Sequence, residues 1–243
     1  MEEYKILGIK VHCLPDHLAK EMLMNFLTSD SQHQVATVNP EFIVTAQEDK
    51  KFRDILNDTS LATIDGTGVI WGLQMLGHKI SLNQRLTGVR LTEIILQLAQ
   101  QKDLKVMFCL RADGLTSPDK FFMIIKEKYP QLNFQVSDID NTIFKAQGFQ
   151  PEILLMGLGS PQQEFWIDEN LPKMPSVKIA IGVGGTFDFL SGKIKRAPKF
   201  LRSFGMEWSW RLIRRPNRIF RTSKAVVLFP YLIIKDRYNK PKD

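Results

Sequence analysis

The chain has 243 residues, with 33 basic and 26 acidic side chains and a formal net charge of +7. An apolar fraction of 44% and a charged fraction of 24% are ordinary for a globular protein and exclude a disordered or collagen-like chain. Two cysteines are too few for a disulfide framework or a cysteine-rich zinc site, and they favour a reducing compartment.

Short apolar runs alternate with helical patterns along most of the chain. Strand patterns cover residues 5–11, 34–38, 61–64, 105–110, 133–136, 152–156 and 177–183. Helical patterns cover residues 16–26, 40–56, 67–76, 87–100, 117–129 and 161–170. Strands that alternate with helices in this way predict a Rossmann-like α/β fold, with a largely parallel sheet and helices on both faces.

Positive charge is concentrated at the C-terminal end. Residues 193–243 hold 15 basic and three acidic side chains, a net charge of +12, whereas the rest of the chain sums to −5. This segment indicates an anionic partner, and nucleic acid, an anionic bilayer or a phosphorylated ligand would each fit. We therefore divide the chain into an α/β core, residues 1–192, and a basic, helical C-terminal appendage, residues 193–243.

The appendage has an amphipathic pattern. Leu201, Phe204, Trp208 and Leu212 form an apolar stripe at helical spacing. A ten-residue apolar segment at 225–234 is too short to span a bilayer, but its basic flanks suit a bilayer interface. Two interpretations stay open. The appendage either docks on the core with its arginines in water, or binds anionic lipid and closes over a site on the core.

Four polar, glycine- or proline-containing turns follow predicted strands. They lie at residues 37–42, 64–69, 157–164 and 182–189. Ligands of parallel sheets bind at the carboxyl ends of the strands, and backbone N–H groups at helix starts favour anions. Each turn alone is weak support, because such residues are common in loops. Together the four predict a shared ligand cleft.

Several familiar motifs are missing. Gly157-Leu158-Gly159 lacks the third glycine of a dinucleotide fingerprint, which disfavours a nicotinamide-dependent oxidoreductase. The four histidines show no metal spacing, and Asp138 and Asp140 are more simply explained as solvated carboxylates. We therefore expect no metal site.

Taken together, the turns and the segments after them resemble the WecG/TagA/CpsF glycosyltransferases, family twenty-six in the sequence classification. The resemblance extends from residue 5 to about 221. It rests on segments 37–42, 65–69 with Trp71, 85–88, 157–164 with Trp166, 182–192, 196–198, 207–208, 211–212, Pro216 and Arg218. The most specific are the Gly-x-Gly-x-Pro-x-Gln-Glu block at 157–164 and the Phe-Asp-Phe block that begins at Phe187.

The resemblance implies an inverting transferase that needs neither a metal nor another cofactor. It implies transfer of an N-acetylmannosamine-type sugar from a UDP-sugar to a lipid-diphosphate acceptor, undecaprenyl-diphosphate-linked N-acetylglucosamine. The products would feed teichoic acid, capsule or common-antigen synthesis. The enzyme is expected in the cytoplasm, peripheral on the inner face of the membrane, with the anionic membrane surface as a partner. Assembly into a homo-oligomer is also implied.

Three positions depart from the family pattern. The family's Thr-Gly-x-Asp-Leu reads Thr87-Gly88-Val89-Arg90-Leu91 here, and Leu110-Arg111-Ala112 replaces a Gly-Gly pair. Residues 138–141 replace an Asp-Gly-Tyr/Phe segment. All three are expected where a donor could be contacted, so the identity of the donor is less certain than the class of reaction.

Asp65 is the candidate catalytic base. Inverting transfer needs a group that takes the proton of the acceptor hydroxyl. Asp65 ends a predicted strand, and Gly66 after it would let a substrate approach the backbone closely. The alternative role for Asp65 is the N-cap of the helix that begins near Thr67.

Five further residues of the core are candidate substrate-binding groups, and each has a structural alternative. Thr37 and Asn39 would bond a sugar or phosphate, or else form the turn before a proline. Arg85 would pair with the diphosphate or lie in solvent, and Gln163 would reach the nucleotide or sugar or be an exposed helix residue. Asp188 would contact ligand or cap a turn.

Two neighbours of Gln163 are assigned no chemistry. Glu164 and Trp166 are interpreted as packing residues or cleft walls.

The appendage supplies the remaining candidates. Arg214, Arg218 and Arg221 would meet a diphosphate, because the guanidinium fork matches phosphate oxygens. The competing function is a nucleic-acid-binding α/β protein that uses the same basic segment. That function leaves the four turns unexplained, so we expect no nucleic acid as a partner.

Overall fold

The computed structural model describes residues 2–111, 114, 116–193 and 219–239, without the side chains of 83 and 219–224. Eight strands form one sheet: β1 Glu2–Ile6, β2 Ile9–Cys13, β3 His33–Val38, β4 Leu61–Ile64, β5 Val106–Leu110, β6 Phe134–Asp138, β7 Ile153–Met156 and β8 Ile179–Gly182. Their order is β1-β2-β4-β3-β8-β7-β5-β6. Only the β1–β2 pair is antiparallel among these strands, so the predicted largely parallel sheet is confirmed.

Ten α-helices are described. They are α1 Asp16–Thr28, α2 Pro40–Glu48, α3 Lys50–Asp58, α4 Thr67–Met75, α5 Gly88–Lys102, α6 Pro118–Lys128, α7 Thr142–Phe149, α8 Gln162–Asn170, α9 Thr186–Leu190 and α10 Ile219–Asn239.

The helices cover both faces of the sheet because strand side chains alternate between faces. Val35 packs in the core with α1, α5 and α6, whereas its neighbour Ala36 packs in the core with α2, α3 and α4. The prediction of a Rossmann-like α/β fold with helices on both faces is thereby confirmed.

Two predicted elements are divided in the structure. The run at 5–11 is a hairpin of β1 and β2, because Leu7 and Gly8 both adopt positive φ, 49° and 80°, and reverse the chain. The helix predicted over 40–56 breaks at Asp49, whose backbone is extended and whose side chain accepts a hydrogen bond from the Phe52 N–H at 3.0 Å. Apolar periodicity alone did not reveal either break.

α10 shares the core of the α/β unit. Phe229 and Ile233 are buried in the same cluster as Ile6. A Cβ built on Gly72 of α4 would lie 2.8 Å from Phe229 Cζ, so the glycine lets the two helices approach closely. The division at residue 192 stays a prediction. The described part of the appendage is a helix that packs on the core.

α10 runs in the same direction as α4. Phe229 and Ile233 contact Gly72, and farther along both helices the Arg237 Nη1 lies 3.8 Å from the Met75 sulfur. The first turn of α10 is therefore nearest to the start of α4, at the carboxyl edge of the sheet. Within the described ranges, no helix is long and apolar enough to cross a membrane.

Gly72→Ala tests the docking of α10. The new Cβ would also lie 2.9 Å from Ile6 Cδ1, so we expect a loss of about 1–3 kcal/mol in urea unfolding and faster proteolysis of α10. Gly148→Ala on α7 is the matched control, because its Cβ meets nothing within 4 Å. It should stabilise the protein by about 0.5–1 kcal/mol. Equal stability of the two variants would contradict this view of the interface.

Candidate active site

The pairing of β3 with β4 places Asp65 beside Asn39. Val38 pairs with Ile64, and the Asp65 N–H donates to the Val38 carbonyl at 2.8 Å. Asp65 and Asn39 therefore leave neighbouring strands side by side at the carboxyl edge. Asp65 is half-buried, so a part of the residue is open to solvent there.

Gly66 governs how the chain leaves β4. It has φ of 102° and occupies the N-cap position of α4, one residue after Asp65. The next glycine, Gly68, packs against Pro40, whose Cγ would lie 2.7 Å from a Cβ there. The starts of α2 and α4 are thereby pressed together, which fixes the backbone on either side of Asp65.

Thr37 and Asn39 are both engaged in the structure. The Thr37 hydroxyl is buried and donates to the Gly182 carbonyl at 3.3 Å, which ties β3 to the end of β8. The Asn39 Oδ1 accepts from the Phe42 N–H at 3.1 Å and caps α2. Asn39 would therefore contact a ligand through its amide nitrogen. Ligand binding by either residue stays a prediction.

The start of α5 joins the same edge. A Cβ built on Gly88 would lie 3.5 Å from both the Thr37 and the Thr186 hydroxyl oxygens, so α5 begins between β3 and α9. Arg85 is half-buried and lies three residues earlier, after a 3₁₀ turn at Leu82–Gln84. The sequence did not single out Thr186, which lies at this junction.

Asp188 is half-buried on α9. Its Oδ2 lies 3.5 Å from the position of a Cβ on Gly185, so the carboxylate is close to the turn after β8. Arg214 and Arg218 lie outside the described residues. Arg221 belongs to α10, but its side chain lies outside the description.

Gln163 holds two turns together. Its side-chain Oε1 accepts from the Gly159 N–H at 3.1 Å and from the Gly184 N–H at 3.0 Å. These glycines have φ of 89° and 50°, conformations that favour glycine. Two backbone donors that the sequence suggested for anion binding are therefore used internally. Gln163 is only 2% exposed, and its contact with a nucleotide or sugar stays a prediction.

Glu164 is the buried hydrogen-bond partner of the Gln163 side chain. Its Oε1 accepts from the Gln163 Nε2 at 2.6 Å, while Oε2 is buried without a hydrogen-bond partner among the described residues. Burial raises the pKa of Glu164 to about 7, although hydrogen bonds from Gln163 and Ser160 act in the opposite direction. Glu164 is therefore largely protonated at slightly acid pH.

Two glycines leave room for neighbouring side chains, Gly182 for Gln163 and Glu164, and Gly157 for Phe187. A Cβ on Gly182 would lie 2.5 Å from the Gln163 Nε2 and 2.6 Å from the Glu164 Oε1. A Cβ on Gly157 would lie 2.4 Å from Phe187, which packs against the end of β7. Several glycines that the sequence indicates only as turn residues thus serve close packing between the turns.

Two departures from the family pattern have structural partners. The Arg90 guanidinium donates to Asp16 at 2.7 Å and to Glu93 at 3.2 Å, which raises its pKa. Asp138 accepts from the Asn141 N–H at 2.9 Å on the edge strand β6. That strand is five positions from β4 in the sheet, about 24 Å away at the usual strand spacing.

No group of three or more histidine, cysteine, aspartate or glutamate side chains suited to an ion occurs within the described part of the chain.

Replacement of Glu164 by glutamine tests the state of the buried carboxyl. A folded pKa near 7 against a reference value of 4.5 means that wild-type stability falls as pH rises through this interval. The Glu164→Gln variant lacks this loss. Its advantage in urea unfolding should be small at pH 4.5 and grow to at most about 3 kcal/mol by pH 8.

The control for this measurement is Glu169→Gln, an exposed position on the same helix. It should stay within about 0.5 kcal/mol of the wild type at both pH values. A pH-independent difference between Glu164→Gln and the wild type would show that the carboxyl is not held neutral.

The chain matches the model of the glycosyl transferase WecG/TagA/CpsF family over residues 4–243. Relatives from Staphylococcus aureus strains MRSA252, MW2 and NCTC 8325 are 28% identical over 223 residues, which cover 88% of this chain and 85% of each relative. Each is named N-acetylglucosaminyldiphosphoundecaprenol N-acetyl-beta-D-mannosaminyltransferase. The match extends over nearly the whole chain, and the protein therefore belongs to the WecG/TagA/CpsF family of glycosyltransferases.

Proposed function

We propose that this enzyme transfers an N-acetylmannosamine-type sugar from UDP to undecaprenyl-diphosphate-linked N-acetylglucosamine, with inversion at the anomeric carbon. The observation that most strongly supports this function is the family match over residues 4–243. The S. aureus relatives, named for this transfer, add the acceptor and the sugar. No observation favours the alternative of a nucleic-acid-binding protein.

Asp65 is the proposed general base. Its carboxylate takes the proton from the acceptor hydroxyl while that oxygen forms a bond to the anomeric carbon of the donor. The bond from this carbon to the diphosphate breaks on the opposite side, and UDP departs with the electron pair. The position of Asp65 at the carboxyl edge, half-buried and fixed by the Val38 backbone bond, supports this role.

Arginine side chains are the proposed partners of the departing diphosphate. The Gly159 and Gly184 N–H groups already donate to Gln163, which leaves cationic side chains as the stronger source of compensating charge. Arg85 precedes the helix that begins between Thr37 and Thr186. With Asp188, Thr37 and Asn39, it would line the donor site.

The appendage would complete the site at the end of α4 that lies at the carboxyl edge of the sheet. Arg221 lies eight residues before Phe229, or about 12 Å along α10 toward the carboxyl edge. This direction brings its backbone toward the end of α4 that follows Asp65. We assign Arg221, with Arg214 and Arg218, to the lipid-linked or nucleotide diphosphate.

α10 also offers a surface for an anionic membrane. Val227, Tyr231, Ile234 and Tyr238 recur at helical spacing and are all exposed, while Phe229 and Ile233 face the core. Lys235 and Arg237 add positive charge to the same helix. The lipid-linked acceptor would thus be met by a helix lying in the bilayer interface on the cytoplasmic side. Assembly as a homo-oligomer stays a prediction.

The function is tested by UDP release from a panel of UDP-sugars, with a lipid-diphosphate N-acetylglucosamine analogue and no added metal. We expect turnover with UDP-N-acetylmannosamine, unaffected by EDTA, since no cofactor is predicted. Absence of turnover with every sugar would contradict the proposal, and turnover with another hexose would correct the donor.

Asp65→Asn should abolish most of this activity. Loss of a general base lowers kcat at least about 100-fold, while the similar shape of asparagine keeps the fold. Asp54→Asn, an exposed change on α3, is the control and should act like the wild type. A folded Asp65→Asn enzyme with a near-normal rate would remove Asp65 as the base.

Tyr231→Asp tests the membrane surface. Truncation would uncover the core around Gly72, so a point change on the outer face is the cleaner test. Binding to vesicles that contain anionic phospholipid should weaken at least about tenfold, because an apolar contact is lost and a repelled charge is added. Phe144→Asp, at an aromatic residue on α7 that is more exposed than Tyr231, should bind like the wild type. Equal binding of both variants would exclude this face of α10.

A further inference from the structure

The hydrogen bond between Glu164 and Gln163 lies where the ends of β3, β7 and β8 meet. Gln163 connects the turn after β7 to the turn after β8, and Thr37 connects β8 to β3. Among the described residues, Gln163 is the side chain that bonds both turns, and its amide nitrogen donates to Glu164. A displacement of the Glu164 carboxyl would therefore be passed to Gly159 and Gly184 through Gln163, and it would also disturb the hydrogen bond from Ser160.

A need for stability does not explain a carboxyl at this position. The residue is 1% exposed, and one oxygen has no partner among the described residues, a costly state for a polar atom. Glutamine would present the same acceptor to Gln163 without an ionisable group. A buried acid that weakens the fold and orients a site is a recognised feature of functional sites.

We propose that Glu164 is a positioning residue for sugar transfer, which fixes the Gln163 amide and through it the separation of the Gly159 and Gly184 turns. This inference rests on the proposed transferase function. Glu164 itself touches neither substrate nor the reacting atoms. Its effect on the rate comes from keeping the two turns in the geometry that receives the donor.

The described charged groups near α8 interact with partners other than Glu164. On α3, the Lys51 ammonium lies 5.4 Å from the centre of the Phe165 ring, and Arg53 donates to the Ala46 and Gln47 carbonyls. Lys173 bonds Asn170 at the far end of α8. On β3, the one titratable group is His33, which bonds Ser29 and Ser60 at the amino end of the strand.

The remaining titratable side chains of α3 and α8 lie at the surface. Lys50, Asp54, Asp58, Asp168 and Glu169 are exposed, and β8 carries no titratable side chain. Among the residues that the structure describes, ionisation of Glu164 would therefore leave a negative charge with no cation beside it. We expect that charge to loosen the two turns, so that turnover falls as pH rises above about 7.

The experiment compares wild type, Glu164→Gln, Glu164→Ala and the control Glu169→Gln. Amide hydrogen exchange of the free protein is followed at residues 157–164 and 182–188. Steady-state kinetics use the sugar that is active in the UDP-release panel. Glu164→Ala should exchange at least about tenfold faster at Gly159 and Gly184 and lose about 100-fold in kcat, with the donor KM changed less than about threefold.

The conservative variant separates positioning from mere folding. Glu164→Gln should keep kcat within about threefold of wild type at pH 6.5 and lack the alkaline fall of the wild type. The proposal is overturned if folded Glu164→Ala keeps both slow exchange and full turnover. If Glu164→Ala does not fold, identical pH profiles of wild type and Glu164→Gln overturn it instead.

Failure of the function and failure of the inference are distinguishable. A wild type that turns over no sugar contradicts the transferase function, and this inference is then rejected with it. A wild type that turns over, beside a Glu164→Ala variant that does so equally well, rejects the inference alone.

Discussion

The hydrogen-bond register of β3 with its two neighbours is the constraint on which the site depends. Val38 pairs with Ile64 on one side, and Val35 pairs with Ile181 on the other. These pairings set the level at which Asp65, Asn39 and the turn after Gly182 emerge. A one-residue slip on either side would move every side chain of the slipped strand to the opposite face of the sheet and separate these groups. The Asp65–Val38 backbone bond and the Thr37–Gly182 bond extend the pairing past the strands themselves.

Beyond that register, the turns are rigid because their polar groups are bonded to one another. Gln163 uses backbone donors that would otherwise be open to an anion, and Glu164 holds the Gln163 amide. The negative charge of a diphosphate would then fall to guanidinium groups, which we propose to be those of Arg85 before α5 and of the arginines in the appendage. A set of internally bonded turns with cationic side chains beside it would suit a reaction in which a charged product must leave. The docking of α10 along α4 gives the appendage a fixed base on the core.

The edge where ligands bind stays a prediction from the turns that follow the strands. Patterns in the sequence predicted the family, through the blocks at 157–164 and after Phe187, and they predicted the sheet. β-branched runs between helical patterns suffice for that, since they report burial and period. The hairpin at Leu7–Gly8 and the break at Asp49 depend on single backbone angles that periodicity does not encode. For Gln163 the alternative to ligand contact was an exposed helix residue, and that alternative is wrong, because Gly182 leaves room for the side chain to be buried. Long-range packing of this kind becomes visible only when the strands are assembled.

The most direct test of the account is a hydrogen-exchange map of the protein with and without saturating UDP. A ligand held at the carboxyl edge should protect the backbone after β4, β7 and β8, at residues 65–68, 157–164 and 182–188, and also the approach to α5. Protection confined to the opposite edge of the sheet, near residues 29–33 and 174–178, would contradict the placement of the donor. Unchanged exchange under saturating UDP at residues 65–68, 157–164 and 182–188 and at the residues before α5 would contradict it as well.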